Sequence, residues 1–324
     1  MSAKLPKLIE DMNDMDSCNK ITCIIVTKNM GWALELGHKL GIKGALFWPA
    51  SATSLTSFDS IQRLINEGII DSENGLPIIS NEEIQIALNL PIMDISAMPW
   101  YCLDNNFFFQ HMMQEIKTLN LGEWWLCNTT LDLEAGAFSI SPKLLPIGPL
   151  IASDQNTSSF MQEDLTCLDW LDLQPPQSVI YVSFGSMVST KPNQFNELAL
   201  GLELLNKPFL WVVRNGKGNN VNNTYPDEFT GREGVYGGVP FLCWPFCSDQ
   251  LMNKTYICDV WKVGLGFDKD ENGLISRGEI EKKVEQVLGD REMKERSSKL
   301  MEMVIKSKSE GDNNLNKFIS WAKE

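Results

Sequence analysis

Short apolar runs alternate with more mixed stretches along the first half of the chain. The runs predict strands over Lys20–Thr27, Gly44–Trp48 and Trp124–Asn128, because a strand of a parallel sheet is buried on both of its faces. The stretches between them predict helices over Gly31–Leu40 and Phe107–Leu119. Strands and helices that alternate in this way indicate an α/β layered fold.

A polar stretch from Leu150 to Glu163 has little apolar periodicity and predicts a domain boundary. A chain of 324 residues is long enough for about two domains, each with its own core. We therefore expect a partial N-terminal domain over residues 1–150 and a C-terminal domain over residues 151–324.

The pattern beyond this boundary predicts a further strand–helix–strand unit. Two apolar runs, Ser178–Phe184 and Phe209–Val213, flank a helix predicted over Pro192–Leu205. From Glu279 onward the chain is predicted to be helical, with apolar residues at helical spacing on one face. The C-terminal half is thus also predicted to be α/β.

Composition and net charge limit the kinds of molecule that the chain is expected to bind. The apolar fraction of 43% and the charged fraction of 22% are those of a soluble globular protein. The net charge of −14 argues against nucleic acid or an anionic membrane surface, since both require clustered Lys and Arg. An anionic nucleotide stays possible, because backbone N–H groups at a helix N-terminus supply local positive potential.

The cysteines and the N-terminal residues indicate the compartment. Eight cysteines are scattered without C-x-x-C spacing, so the sequence suggests neither a zinc site nor a redox motif. The first sixteen residues are polar and lack the apolar segment of a signal peptide. No apolar run approaches the length of a membrane span. We expect a cytoplasmic protein with reduced thiols.

A glycine-containing turn, Ser183–Ser186 (SFGS), follows a predicted strand and precedes a predicted helix. Open α/β sheets bind ligands at this position, and a glycine such as Gly185 lets the backbone approach a phosphate closely. The same residues also suit an ordinary turn between a strand and a helix. No G-x-G-x-x-G follows any predicted strand, so a nicotinamide-dependent oxidoreductase is disfavoured.

The stretch Gly234–Asn253 (GVYGGVPFLCWPFCSDQLMN) resembles the second half of the signature with which plant UDP-sugar-dependent glycosyltransferases bind their sugar donor. Other similar segments occur in the family's order: CIIVTKNMGWALELGHKLGIK, GPLIASD, CLDWLDLQPPQSVIYVSFGS, ELALGLELLNKPFLWVVR and YICDVWKVGLGFDKDENGLI. The resemblance covers nearly the whole chain. It implies the GT-B fold, with two Rossmann-like domains that face each other across a cleft, and both are expected to be incomplete here.

The resemblance also implies the reaction. The N-terminal domain would hold a small plant metabolite and the C-terminal domain a UDP-sugar, and a hexose, glucose by family default, would pass to a hydroxyl of the acceptor. The family inverts the anomeric centre and needs no cofactor and no metal, so the UDP-sugar is a co-substrate. The implied partners are therefore small molecules, and the chain is expected to be a monomer that binds neither nucleic acid nor a membrane.

Four residues are carried over to the donor site by this resemblance. Gly185 and Ser186 would face the diphosphate. Asp249 and Gln250, at the start of a helix, would hydrogen-bond the sugar hydroxyls, since a carboxylate beside a carboxamide offers both acceptors and donors. Ser248 and Asp249 equally suit a simple helix cap, and both roles can hold together.

The donor signature is interrupted near residues 232–234. The family has a Trp-Ala-Pro-Gln turn, a strand and a His-x-Gly-Trp-Asn-Ser turn upstream of the matched half. This chain passes from YPDEFTGRE directly into GVYGGVP. In the family the absent Trp stacks on uracil and the absent His binds a phosphate. Glu233 falls where the family places the carboxylate for the ribose hydroxyls, or it belongs to the loop upstream. We expect an internal deletion here.

No complete catalytic pair is identified. The family's general base is a His on the first βα turn, which the expected N-terminal truncation removes. Its partner Asp ends the strand here written CIIVT, where this chain has Thr27. The only two histidines, His38 and His111, lie in predicted helices and are expected to be surface or packing residues. We expect impaired catalysis; the alternative is a non-catalytic remnant, or an incomplete gene model, with at most residual ligand binding.

One further pattern competes with this interpretation. Residues Asp268–Glu279 (DKDENGLISRGE) satisfy the calcium-loop pattern D-x-D-x-N-G-x5-E. The alternative is a turn followed by a helix whose first residues, Ser276 and Glu279, form a capping box. The preceding VWKVGLGF is predicted to be a strand, which disfavours the incoming helix of an EF-hand.

Overall fold

The computed structural model describes residues 4–16, 18, 20–78, 83–101, 106–150, 166–185, 190–213 and 237–324, without the side chains of residues 106, 108 and 166. The chain divides into two compact units. The first comprises Met1–Leu150, Cys247–Thr255 and Met303–Glu324, and the second comprises Ile151–Phe246 and Tyr256–Glu302. Each unit is α/β.

The strands are short and nearly all parallel. They are β1 (Cys23–Val26), β2 (Lys43–Trp48), β3 (Glu83–Ile84), β4 (Met93–Asp94), β5 (Trp124–Cys127), β6 (Leu144–Pro146), β7 (Ile180–Val182), β8 (Phe209–Trp211), β9 (Phe241–Cys243) and β10 (Gly264–Gly266). Only β3 and β4, among the paired strands of the described residues, run antiparallel to each other.

The helices fill the connections between these strands. They are α1 (Leu5–Met15), α2 (Gly31–Lys39), α3 (Ala52–Asp59), α4 (Ile61–Asn66), α5 (Asn106–Leu119), α6 (Ala135–Phe138), α7 (Thr166–Asp172), α8 (Pro192–Leu204), α9 (Asp249–Thr255), α10 (Arg277–Gly289) and α11 (Arg291–Lys323). A 3₁₀ turn covers Ile95–Ala97, and a π-helical turn, Tyr256–Val260, follows α9. No helix among the described residues has both the length and the apolar character needed to cross a membrane.

The strands and helices named from the sequence are confirmed, most of them in shorter form. The predicted strand Ser178–Phe184, for example, is hydrogen-bonded as a strand only over Ile180–Val182. The apolar run continues beyond the last residue that has a strand partner, so hydrophobicity overestimates the length. The C-terminal helical region begins slightly earlier than predicted, at Arg277, because the Ser276 side chain accepts a hydrogen bond from the Glu279 backbone N–H.

A four-stranded parallel sheet, in the order β1-β2-β5-β6, lies at the centre of the first unit. One row across it joins Val26, Leu46, Trp125 and Leu144, and all four side chains are buried. On the opposite face of the sheet, the last turns of α11 contribute Phe318 to a core with Ala45, Leu126 and Ile147. The sheet is thus continuous and covered.

The second unit contains two separate two-stranded parallel sheets, β7-β8 and β9-β10. Both pack on one apolar core that comes mainly from α8, α10 and the turn before α10: Leu198, Leu202, Ile275, Ile280 and Val284. The side chain of Gln194 fixes that turn, since it donates to the Ile275 carbonyl at 2.8 Å and accepts from the Ile275 N–H at 2.9 Å.

Candidate functional site

A pocket of about 250 Å³ opens in the first unit, where two neighbouring strands end. Strands β1 and β2 are parallel neighbours, so their carboxyl ends meet at the same edge of the sheet, which is where open α/β sheets bind ligands. The pocket is lined by residues at and just after the ends of these strands, by one residue of α3, by the first residue of α9 and by the residue before it: Thr27, Lys28, Trp48, Pro49, Ala50, Phe58, Ser248 and Asp249.

Two aromatic rings form one wall of the pocket, and their geometry is fixed by hydrogen bonds. Trp48 and Phe58 meet edge to face with ring centroids 5.9 Å apart. The Trp48 indole N–H donates to the Ser51 carbonyl at 3.0 Å and to the Ser54 hydroxyl at 3.2 Å. The wall therefore presents a defined apolar surface to the pocket.

Helix α3, which carries Phe58, is held from its N-terminus by a buried carboxylate. Glu134 is 4% exposed. Its oxygens accept from the Ala52 N–H at 3.0 Å, the Thr53 N–H at 2.9 Å and the Thr53 hydroxyl at 2.8 Å. A carboxylate at this end of a helix meets unpaired N–H groups and the positive end of the helix dipole. Glu134 thereby sets the position of the aromatic wall.

Lys28 is the cation of the pocket. Its ammonium lies 4.7 Å from the Phe58 ring centroid and 5.9 Å from the Trp48 ring centroid, within cation–π range. Burial lowers the pKa of Lys28, while the nearby carboxylates of Asp249 and Glu115 act in the opposite direction. One oxygen of Glu115, Oε2, is buried and hydrogen-bonds to none of the described groups. The carboxylates of Asp249 and Glu115 therefore offset only part of the effect of burial on the pKa of Lys28.

Asp249 is the predicted donor-site residue that lines this pocket. Its Oδ2 accepts from the Asn253 side chain at 3.0 Å, one turn further along α9. Ser248, just before it, has a φ of +58°, so the backbone turns sharply into the helix. Gln250 is exposed. The structure thus places Asp249 beside Thr27, although the two are more than two hundred residues apart in sequence.

The remaining predicted site residues lie elsewhere. Gly185 belongs to the second unit and has a φ of +68° with open space around its Cα, so a side chain there would be strained by the backbone alone. Ser186 and Glu233 lie outside the described residues. His38 and His111 are exposed on α2 and α5, as expected from the sequence. Sequence reasoning missed Lys28, Trp48 and Phe58; a signal for the first two was their place directly at the ends of β1 and β2.

The calcium-like segment Asp268–Glu279 makes the contacts of a turn and a helix start. The Asp270 carboxylate accepts from the N–H groups of Asn272 and Leu274, and the Glu279 carboxylate accepts from the Asp268 N–H at 3.1 Å. The Lys283 ammonium lies 3.0 Å from the Asp268 carboxylate and 3.5 Å from the Glu279 carboxylate. The lysine therefore supplies the positive charge that a calcium ion would supply between these two groups. Within the described part of the chain, no group of three or more His, Cys, Asp or Glu residues is placed to hold a metal.

The chain is similar to a family of known proteins over most of its length. The family described as UDP-glucoronosyl and UDP-glucosyl transferase matches residues 92–225. UDP-glycosyltransferase 83A1 of Arabidopsis thaliana is 36% identical over 362 aligned residues, which cover 100% of this chain and 78% of that protein. Flavonol 7-O-beta-glucosyltransferase UGT74F1 of the same plant is 28% identical, over 93% of this chain and 76% of its own length.

Solved structures agree on the fold. Phytolacca americana UGT2, complexed with UDP-2fluoro-glucose and pterostilbene, superposes with a TM-score of 0.79 at 22% identity, over 100% of this chain and 80% of that chain. Medicago truncatula UGT71G1, complexed with UDP-glucose, superposes with a TM-score of 0.77 at 20% identity, over 100% of this chain and 80% of that chain. The fold is therefore of the GT-B class. This chain belongs to the plant UDP-glycosyltransferase family.

Proposed function

We propose, from the family resemblance, that the reaction of this chain is transfer of a hexose, glucose by family default, from a UDP-sugar to a hydroxyl group of a small plant metabolite. The observation that carries the proposal is the pocket in which Asp249 lies beside the aromatic wall of Trp48 and Phe58. A carboxylate accepts hydrogen bonds from vicinal hydroxyls, and an aromatic face packs on the apolar side of a sugar ring. A volume of about 250 Å³ suits one small ligand.

The other donor contacts are assigned from the family resemblance. Gly185 and Ser186 would approach the diphosphate, Glu233 the ribose hydroxyls, and Gln250 the sugar hydroxyls beside Asp249. The reaction would invert the anomeric centre without a metal or a cofactor, and backbone N–H groups would stabilise the departing UDP. A UDP-sugar and a small acceptor are then the partners of the site.

We further propose that transfer by this 324-residue polypeptide is absent or greatly reduced. An alcohol titrates far above neutral pH, so its attack on the sugar carbon requires a general base. Thr27 stands where the family has the Asp that orients such a base, and a hydroxyl cannot stabilise an imidazolium as a carboxylate does. The alignment with UDP-glycosyltransferase 83A1 extends over 362 positions against 324 residues here, which supports an internal gap in this chain.

Acceptor-dependent UDP release tests this proposal. The purified chain is incubated with UDP-glucose and a panel of plant phenols and alcohols, and free UDP is measured against UDP-glycosyltransferase 83A1 as a positive control. We expect no release above the acceptor-free background. Acceptor-dependent release at a rate near that of the control would contradict the proposed loss of catalysis.

A non-catalytic remnant is the second candidate, and the divided sheet of the second unit favours it. Strand pairs β7-β8 and β9-β10 share a core but no hydrogen-bonded strand joins them among the described residues. Sequencing the native transcript upstream of Met1 and across codons 232–234 separates the possibilities. A transcript that is continuous as written supports a remnant, whereas additional coding sequence at both places indicates a working transferase whose site residues stand as assigned.

A cytoplasmic location is part of the proposal. The eight cysteines are scattered at low density along a long chain. This usage is typical of reduced thiols in a reducing compartment. Burial also raises the pKa of Cys127 far above its ordinary value, so this thiol stays protonated and unreactive.

A further inference from the structure

The tetrapeptide Glu-Asn-Gly-Leu occurs twice in the chain. It spans residues 73–76 in the first unit and residues 271–274 in the second. Both copies lie in turns in which the glycine has a positive φ, +72° at Gly75 and +75° at Gly273. The two Asn-Gly pairs are therefore matched in local sequence and in glycine conformation, so any difference in their reactivity must come from their surroundings.

An Asn-Gly pair can undergo deamidation without a partner other than water. The backbone nitrogen of the glycine, once it has lost its proton to base, attacks the side-chain carbonyl carbon of the asparagine, and ammonia leaves as the carbon–nitrogen bond forms. Water then opens the cyclic imide at either of its carbonyls, which gives aspartate or isoaspartate. Glycine favours this reaction because its backbone turns freely and no side chain crowds its nitrogen. Access and freedom to turn therefore decide the rate.

The first copy is held in place by packing and hydrogen bonds. Gly75 is buried, and a Cβ there would lie 2.5 Å from the Phe109 ring and 2.9 Å from the Trp100 ring. The Trp100 indole N–H donates to the Gly75 carbonyl at 3.1 Å. The Asn74 side-chain oxygen accepts from the Leu76 N–H at 2.8 Å. Turning the Asn74 carbonyl carbon toward the Gly75 nitrogen therefore requires local unfolding.

The second copy is open to solvent. Asn272 and Gly273 are both exposed, and a Cβ at Gly273 would meet no atom within 4 Å. The Gly273 N–H donates to the Asp270 carbonyl at 2.9 Å, and this hydrogen bond must open before the nitrogen can attack. In an exposed turn the freed groups bond to water instead, so the opening costs little free energy.

We propose that Asn272 is a site of spontaneous deamidation in the folded chain, and that the fold protects Asn74 in the identical tetrapeptide. The products weaken the second unit. Isoaspartate adds a methylene to the main chain two positions before the helix-core residue Ile275, which is 2% exposed. Either product places a new carboxylate next to Glu271 and near Asp270, where like charges repel. The proposal does not depend on the transferase activity.

Peptide mapping by mass spectrometry measures both sites in one sample. The folded chain is incubated at mildly alkaline pH, well below its melting temperature, and the aspartate and isoaspartate products are quantified over time. We expect Asn272 to be converted at least about tenfold faster than Asn74. In guanidinium chloride the two rates should agree, because the tetrapeptides are identical. The proposal is overturned if the rates agree in the folded chain, or if their difference persists unchanged in the denaturant.

A matched pair of variants tests the effect on stability. Glutamine keeps the amide but lengthens the side chain, so it closes the cyclic imide poorly. After the same incubation, the unaltered chain and Asn74→Gln should each unfold at a lower denaturant concentration than before it, whereas Asn272→Gln should unfold as it did at the start. The proposed weakening is overturned if the incubated unaltered chain keeps its stability, or if Asn272→Gln loses as much stability as Asn74→Gln.

Discussion

The parallel sheets of the two units differ in continuity, although both are built from similar apolar runs. In the first unit, β2 and β5 each have a strand on both sides, and Ala45, Leu46, Trp125 and Cys127 have no measurable exposure. In the second unit, each strand has a single partner among the described residues, and most strand side chains are half-buried. An apolar run is enough to predict a strand. The burial of that strand depends on the neighbouring strands and helices that cover it.

This difference locates the defect that we propose for the donor site. The four strands of the second unit rest on one shared helical core. Strands β8 and β9 are separated in the chain by residues 212–240, which include the junction near 232–234. A deletion at that junction would explain both the divided sheet and the interrupted donor signature.

Restoring the segment should have the largest effect. If a segment is absent near residues 232–234, as we propose, a variant that carries the corresponding residues of UDP-glycosyltransferase 83A1 there should gain a hydrogen-bonded strand between the two pairs. We expect a gain in unfolding free energy of at least about 3 kcal/mol from the added burial and backbone pairing. Chemical denaturation measures it, and a Gly/Ser insert of equal length is the control. An equal gain from that insert would contradict the explanation.

A matched pair of leucine truncations tests the contrast in burial. Leu126 in β5 is 3% exposed, so Leu126→Ala should leave a cavity and cost about 3 kcal/mol of unfolding free energy. Leu210 in β8 is only half-buried, and Leu210→Ala should cost about 1 kcal/mol. Denaturation curves of the two variants give the comparison. Equal costs would mean that the sheets are equally well packed.

A second contrast is between two carboxylates that hold helices in place. Glu134, which accepts hydrogen bonds at the start of α3, is buried, whereas Glu197 of α8 pairs with the exposed Arg277. Glu134→Gln keeps the shape of the side chain but removes its charge and turns an N–H group toward the N–H groups of Ala52 and Thr53. We expect a loss of about 2 kcal/mol, with Glu302→Gln, an exposed change in α11, as the control. Melting temperatures of the two variants are compared with that of the unaltered chain. If Glu134→Gln changes the melting temperature no more than Glu302→Gln does, the proposed role of Glu134 is contradicted.

The anchor of α8 joins the half-buried Glu197 to the exposed Arg277, and it should matter least. Arg277 lies 2.5 Å from Glu197 across α8 and α10, and its hydrogen bonds lower the pKa of Glu197 to about 2. A carboxylate with a depressed folded-state pKa stabilises above its unfolded value of 4.5 and loses this contribution as pH falls toward 2. Because the Arg277 side chain is exposed, we expect a smaller effect than that of Glu134.

The pH dependence of stability measures the contribution of this ion pair. The unaltered chain should lose slightly more stability between pH 4.5 and 2 than Glu197→Gln, which lacks the titrating group. Parallel curves for the two proteins would show that Glu197 contributes nothing in this range.

The sequence predicted the elements well and the pocket only in part. Strands such as Lys20–Thr27 follow from local apolar runs, which do not depend on distant residues. The pocket combines Lys28 and Trp48, at the ends of two strands, with Phe58 from a buried helix and Asp249 from far along the chain. Asp249 was found through a family motif, whereas the balance of charge between Lys28, Asp249 and Glu115 appears only after folding. Periodicity cannot report such contacts.

The central claim is our proposal that a segment is missing near residues 232–234 and that its loss leaves the donor site incomplete. Titration calorimetry with UDP-glucose tests this proposal most directly. The unaltered chain and the variant with the restored segment are titrated under identical conditions. The account predicts no saturable heat for the unaltered chain and saturable binding, at least about a hundredfold tighter, for the restored one. Tight, saturable binding of UDP-glucose by the unaltered chain would contradict it.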